Sequence, residues 1–167
     1  LANLLGAAAL GISGSMLAQV REASGASTSG AAALVVLDHV GSMSVSELGR
    51  DVGLTQPAAA RMVDGLSTAG LVRRRTGAGR TVPVELTDAG RQVVRRVLEA
   101  RARELANLLS DLDTSERAGL TAILETLLAR MFAEDRRSSF LCRLCDRHTC
   151  TTAALCPVGQ AERDLEQ

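Results

Sequence analysis

A chain of 167 residues with 46% hydrophobic side chains is long enough to bury a core, and it fits one compact domain plus a small appendage. Aromatic residues make up only 1%, which suits packed helices better than a β-sandwich and argues against single-stranded nucleic-acid binding by base stacking. The formal net charge is zero, so total charge points to no polyanionic partner and only the placement of the basic groups is informative.

Every basic group is an Arg, whose planar fork of donors suits phosphates and guanine edges. Leu1 to Val20 is uncharged. No basic residue leads it, as a signal peptide requires, and Asn3, Ser13, Ser15, Gln19 and three glycines dilute it as a membrane span. The expectation is a helix over Ala2–Ala23, buried at a subunit interface, with no membrane partner. Gly25 to Gly30 reads as a small-residue break. Ala31–Val40 reads as a buried helix closed by Gly41, with His39 a satisfied core or interface histidine.

Ser44 with Glu47 forms a capping box for a short helix, Val45–Val52, which stops at Gly53. Thr55 caps the next helix, with Gln56 and Pro57 in its first turn, running to Ala69 before Gly70. Two extended segments follow, Leu71–Arg75 and Thr81–Leu86, with Gly77-Ala78-Gly79 as a hairpin tip. Pro83 lacks an amide hydrogen, so its strand is expected at the sheet edge. Thr87 caps a long helix to Ser110, and Asp113 with Glu116 forms a second capping box for a helix reaching Arg137. Arg91, Arg95, Arg96, Arg101 and Arg103 read as solvated or paired with Glu99 and Glu104.

Short helix, tight turn, second helix and two-stranded hairpin is the order of a winged helix-turn-helix. The fold class is mainly α with a small β-hairpin wing. In such a motif the second helix enters the major groove with its N-terminal residues at the base edges. Here these are Thr55, Gln56, Pro57, Ala60 and Arg61; Gln can pair bidentately with adenine and Arg with guanine. From Leu71 to Arg80 the chain holds four arginines, Arg73, Arg74, Arg75 and Arg80, and no carboxylate, a local excess suited to phosphate.

Val45-Ser46-Glu47-Leu48, Gly53-Leu54-Thr55-Gln56-Pro57-Ala58, Arg61-Met62-Val63-Asp64 and Ala69-Gly70-Leu71-Val72-Arg73-Arg74, followed by Leu86-Thr87-Asp88-Ala89-Gly90, resemble the MarR family. The resemblance implies a homodimer joined by N- and C-terminal dimerisation helices, bound as double-stranded DNA readers to a palindromic operator. Repression relieved by a small-molecule or redox inducer is also implied. The matching organisation is an N-terminal dimerisation helix over 1–30, the DNA-binding domain over 31–90, long helices completing the dimerisation region over 91–137, and a tail over 138–167. Two departures stand out. The family's wing carries an Asp-x-Arg, and Ala78 stands where the Asp belongs, ahead of Arg80. Ala59 and Ala60 stand where Val and a hydrogen-bonding Ser are common, so specificity is expected to lean on Gln56, Arg61 and DNA shape.

The tail carries all four cysteines as Cys142-x2-Cys145-x4-Cys150-x5-Cys156, with Pro157 after the last. Four thiolates are a standard closed tetrahedral zinc set, an iron–sulfur cluster is the alternative, and two disulfides or a redox-switching thiol pair is the third reading. Stable disulfides are rare in the cytoplasm, the compartment expected for this chain. His148 reads as solvent-exposed rather than as a ligand in place of one Cys. A segment of this length cannot build its own core, so a metal there is structural first; sensing of metal or redox state follows from its position after the dimerisation helices. No nucleophile–base pair or phosphate-binding glycine loop occurs, so no enzyme activity is expected. The expected function is a sequence-specific transcriptional regulator, a repressor by resemblance. The alternative is a metal- or redox-responsive protein that uses the winged fold for protein contacts.

Overall fold

In a computed structural model of the chain, residues 1–75, 82–135, 137–152 and 156–165 are described. The elements are α1 (Ala2–Ser24), α2 (Thr28–Val40), β1 (Ser42–Met43), α3 (Val45–Asp51), α4 (Gln56–Thr68), β2 (Val72–Arg74), β3 (Val84–Leu86), α5 (Asp88–Leu108), α6 (Thr114–Asp135), α7 (Ser138–Leu141), α8 (Arg147–Thr152) and α9 (Pro157–Leu165). The fold is mainly helical with one small antiparallel sheet, as the sequence pattern predicts.

The local signals account for most of the boundaries. Ser44 accepts from the Glu47 amide while the Glu47 carboxylate accepts from the Ser44 amide at 2.9 Å, closing the predicted box at the start of α3. The same reciprocal pair joins Asp113 and Glu116 before α6, at 2.9 Å each way. Thr87 caps α5 by accepting from the Gly90 amide at 3.1 Å, and its own hydroxyl donates to the Gly70 carbonyl. Thr55 stands before α4 in extended backbone but makes no side-chain cap bond. Ser27 caps α2 through the Gly30 amide, so α2 begins before Ala31 and the small-residue break is shorter than expected.

The sheet differs from a two-stranded hairpin. Its order is β1-β3-β2, with Ser42 opposite Glu85 and Val72 opposite Leu86. The β3 strand is therefore central, not an edge. Pro83 is tolerated because it lies just before β3, where its carbonyl accepts from the Arg75 amide at 2.8 Å and no amide hydrogen is asked of it. Gly77, Ala78, Gly79, Arg80 and Thr81, the expected tip and the start of the second extended segment, lie outside the described residues.

Helix α2 is the centre of the core: every residue from Ala31 to Leu37 is buried. Around it pack Leu48 from α3, Val63 and Leu66 from α4, Val72, Val84 and Leu86 from the sheet, and Val93, Val94 and Val97 from α5. His39 is not part of this core; it is exposed in the last turn of α2, beyond the buried run. Helix α1 lies along α5 but buries only Val20 and Ser24, leaving Leu4, Leu5 and Leu10 at 74%, 54% and 79% exposure. It is long and apolar enough to cross a membrane by length and composition alone. Helix α6 is described over Thr114–Asp135 and packs against α9; Arg136, just before the predicted end at Arg137, lies outside the described residues.

Candidate nucleic-acid interface and thiol cluster

Helix α4 divides sharply by face. Ala59, Val63 and Leu66 point into the core, at the spacing of one helical stripe. Thr55, Gln56, Pro57 and Arg61 are exposed and Ala60 is half-buried, so the predicted base-reading residues share the outward face at the N-terminal end. The turn before α4 is held by the Leu54 amide on the Gly49 carbonyl at 2.8 Å, and Gly53 takes φ 74, a left-handed conformation that favours glycine.

The two arginines of β2 are exposed beside this helix, and both have partners. Arg73 Nε meets Glu85 of β3 at 2.7 Å, and Arg74 Nη2 meets Asp64 of α4 at 2.7 Å. The positive excess read along Leu71–Arg80 is thus partly neutralised by carboxylates distant in sequence. The Arg74–Asp64 pair, exposed on both sides, contributes little stability. Arg75 is exposed, and Arg80 lies outside the described residues.

The thiols lie as two pairs. Cys142 hydrogen-bonds to Cys145, and Cys150 to Cys156; the pairs are close enough that Cys142 feels Cys156 and Cys150 feels Cys145. Among the described residues, no three His, Cys, Asp or Glu side chains stand together as a metal-holding set. The bond from Cys142 holds the Cys145 thiol down at about 6, helped by Arg101, Arg147 and Arg143 against the effect of burial. That bond, then burial, pushes Cys142 well up. Burial first, and then Cys156, raises Cys150. The Gly159 amide points at Cys156 Sγ, 3.5 Å away at the start of α9. His148 is exposed, as expected.

Arg101 was expected to be solvated or paired on α5; it is half-buried and faces the thiols instead. Arg91 pairs with Asp88 at 2.7 Å, Arg96 Nε reaches the Ala23 carbonyl at 3.5 Å, and Glu104 takes its hydrogen bond from Ser15 of α1.

The sequence pattern gives no hint of what Phe140 does. Its ring lies against Gly53, where a Cβ would come within 2.6 Å of Cε2. Leu144, between Cys142 and Cys145, is 7% exposed and belongs to the same core as α2. The tail is therefore docked on the helix-turn-helix unit as well as on the long helices, where α9 packs against α6. A cavity of about 620 Å³ opens between the two, lined by Arg50, Leu54, Thr55, Arg137, Ser138 and Phe140 among others.

The family model described as MarR family matches residues 29–78. No curated protein matches the chain. Among solved structures, a MarR-family transcriptional regulator from Silicibacter pomeroyi is 31% identical, covering 72% of this chain and 85% of its own, with a TM-score of 0.56. A MarR family protein from Bacillus stearothermophilus is 25% identical over 77% of this chain and 91% of its own, with a TM-score of 0.69. The YusO protein from Bacillus subtilis is 27% identical over 74% and 88%, with a TM-score of 0.65. With the buried α2, the capped α3, the outward face of α4 and the antiparallel strands β2 and β3 in place, the chain belongs to the MarR family of winged-helix, DNA-binding transcriptional regulators, which are not enzymes.

Proposed function

We propose that the chain acts in the cytoplasm as a homodimeric repressor that reads a palindromic operator through α4 and is released by a small-molecule or redox signal. The observation that carries this reading is the outward face of α4, where Gln56 and Arg61 stand exposed beside Arg73, Arg74 and Arg75. The apolar surface of α1, with Leu4, Leu5 and Leu10, is the face a second copy covers. The 620 Å³ cavity beside Thr55 has the size of a small-molecule site and touches the turn that orients α4.

The four cysteines form the other half of the proposal: Cys142, Cys145, Cys150 and Cys156 together hold zinc, with an iron–sulfur cluster as the alternative occupant. Supporting this, four soft donors lie within each other's electrostatic reach, and Arg101, Arg143 and Arg147 lie close enough to Cys145 to favour its thiolate, the form that binds a metal.

Footprinting on duplexes selected from a random pool tests the regulator. The expected result is a protected palindrome with half-sites about one helical turn apart and a steep loss of binding with salt. Equal binding to selected and random duplexes at physiological salt would sink the specific-repressor reading.

A further inference from the structure

The turn between α3 and α4 is closed from outside by the tail. The Phe140 ring occupies the space beside Gly53 that a side chain would otherwise fill. Two guanidinium groups lie over it, Arg137 at 4.7 Å and Arg143 at 3.9 Å from the ring centroid. Beside it, Ser139 hydrogen-bonds to Asp51, the last residue of α3. Two residues further on, Cys142 ends α7, its amide bonding to the Ser138 carbonyl at 2.9 Å, and the Cys145 amide bonds to the Cys142 carbonyl at 2.9 Å. Leu144 anchors that loop in the core. From Ser139 to Cys145, then, contacts with the helix-turn-helix unit alternate with thiols. Arg143 serves both, stacking on Phe140 and lying near Cys145.

We propose that α7 is a transmission element: zinc at the four thiols fixes the seat of Phe140 on the Gly53 turn, and so sets the orientation and DNA affinity of α4. The proposal rests on the reading that the thiols hold zinc. The physics is that of a short helix. Four residues cannot sustain helical structure alone, because one hydrogen-bonded turn costs more order than it returns. Its seat must come from its ends. At one end, Ser139 and Phe140 grip the turn; at the other, Cys142 is tied to whatever orders the thiols. With the thiols drawn onto one ion, Cys142 is fixed and the grip is favoured. With the ion removed, both ends loosen together, and the turn before α4 loses its lid.

The test uses the full-length chain, stripped with a chelator and reloaded with Zn2+ alone. Zinc per chain, amide hydrogen exchange over residues 52–57, and affinity for a duplex selected from a random pool are measured together. Zinc loading is expected to slow exchange in that segment and to tighten DNA binding about tenfold, within the usual range of coupling between sites. Phe140→Ala is expected to bind zinc with the same stoichiometry and lose both responses, while Phe140→Leu, which keeps an apolar contact, regains part of them. Equal helix content by circular dichroism excludes unfolding as the cause. Stoichiometric zinc with no change in exchange or affinity overturns the transmission proposal and leaves the zinc site standing. A full zinc response in Phe140→Ala overturns it too. A chain that takes up no zinc overturns both.

Discussion

Gly90 shows how tightly single positions are held. A Cβ there would lie 2.1 Å from the Leu71 carbonyl oxygen, which also accepts from the Thr87 amide at 3.1 Å. The clash is with backbone, which cannot swing aside. Gly90→Ala should therefore destabilise the winged unit by about 1–3 kcal/mol, read as a lower denaturant midpoint at unchanged slope. At Ser44 the loss is of a cap: Ser44→Ala should cost about 1 kcal/mol by the same measurement. Its partner Glu47 has a carboxyl held below its usual value by the Ser44 hydroxyl and amide. Because the folded pKa is the lower one, this contribution is present above the unfolded carboxylate value and lost as pH falls through the folded value. The stability gap between wild type and Glu47→Gln should accordingly shrink on acidification below the carboxylate range. Both capping boxes were legible in the sequence because donor and acceptor are three residues apart. The close approach at Gly90 was not, since Leu71 reaches it only after the sheet forms.

At the scale of elements, the legible features are those with a local period or a local cap: α3, α4, α5 and α6 stand close to where the pattern put them. Missed were contacts made across distance. A two-residue strand such as β1 has no periodicity to detect, and it exists only because Ser42 and Met43 find β3. That third strand moves β3 to the centre of the sheet. Likewise the pairing of Arg74 with Asp64 joins the wing to the reading helix across ten positions of sequence. The two arginines should behave differently on DNA. Arg61→Ala, on the groove face of α4, should cost about 1–3 kcal/mol on the selected sequence and relax preference at one base position. Arg74→Ala should weaken binding to all sequences alike and lower the salt slope by about 1. Binding isotherms at several salt concentrations separate the two.

At the scale of the whole molecule, α1 and the tail are the unusual parts. In the single chain α1 leaves Leu4 and Leu10 in water, which one copy alone does not explain. Sedimentation should give twice the 17.5 kDa chain mass. Leu4→Asp with Leu10→Asp should shift it to one chain without lowering the helix content of the winged unit, because neither side chain belongs to that core. The sequence showed where the tail begins, by its change of composition, but not where it goes. Its docking depends on Phe140 meeting Gly53 and on Leu144 entering the core, which no spacing rule encodes.

Phe132 and Phe140 are the entire aromatic content of the chain, which has no Trp and no Tyr. One ring is buried in α6, which packs against α9; the other rests on the helix-turn-helix turn. The aromatic region of a proton spectrum of this protein therefore holds two phenylalanine ring systems and two histidines. Phe140, flanked by guanidinium groups and backbone, should stand apart in chemical shift from Phe132. The unlabelled protein thus carries its own reporter of whether the tail is seated on the reading head, with no dye or engineered probe.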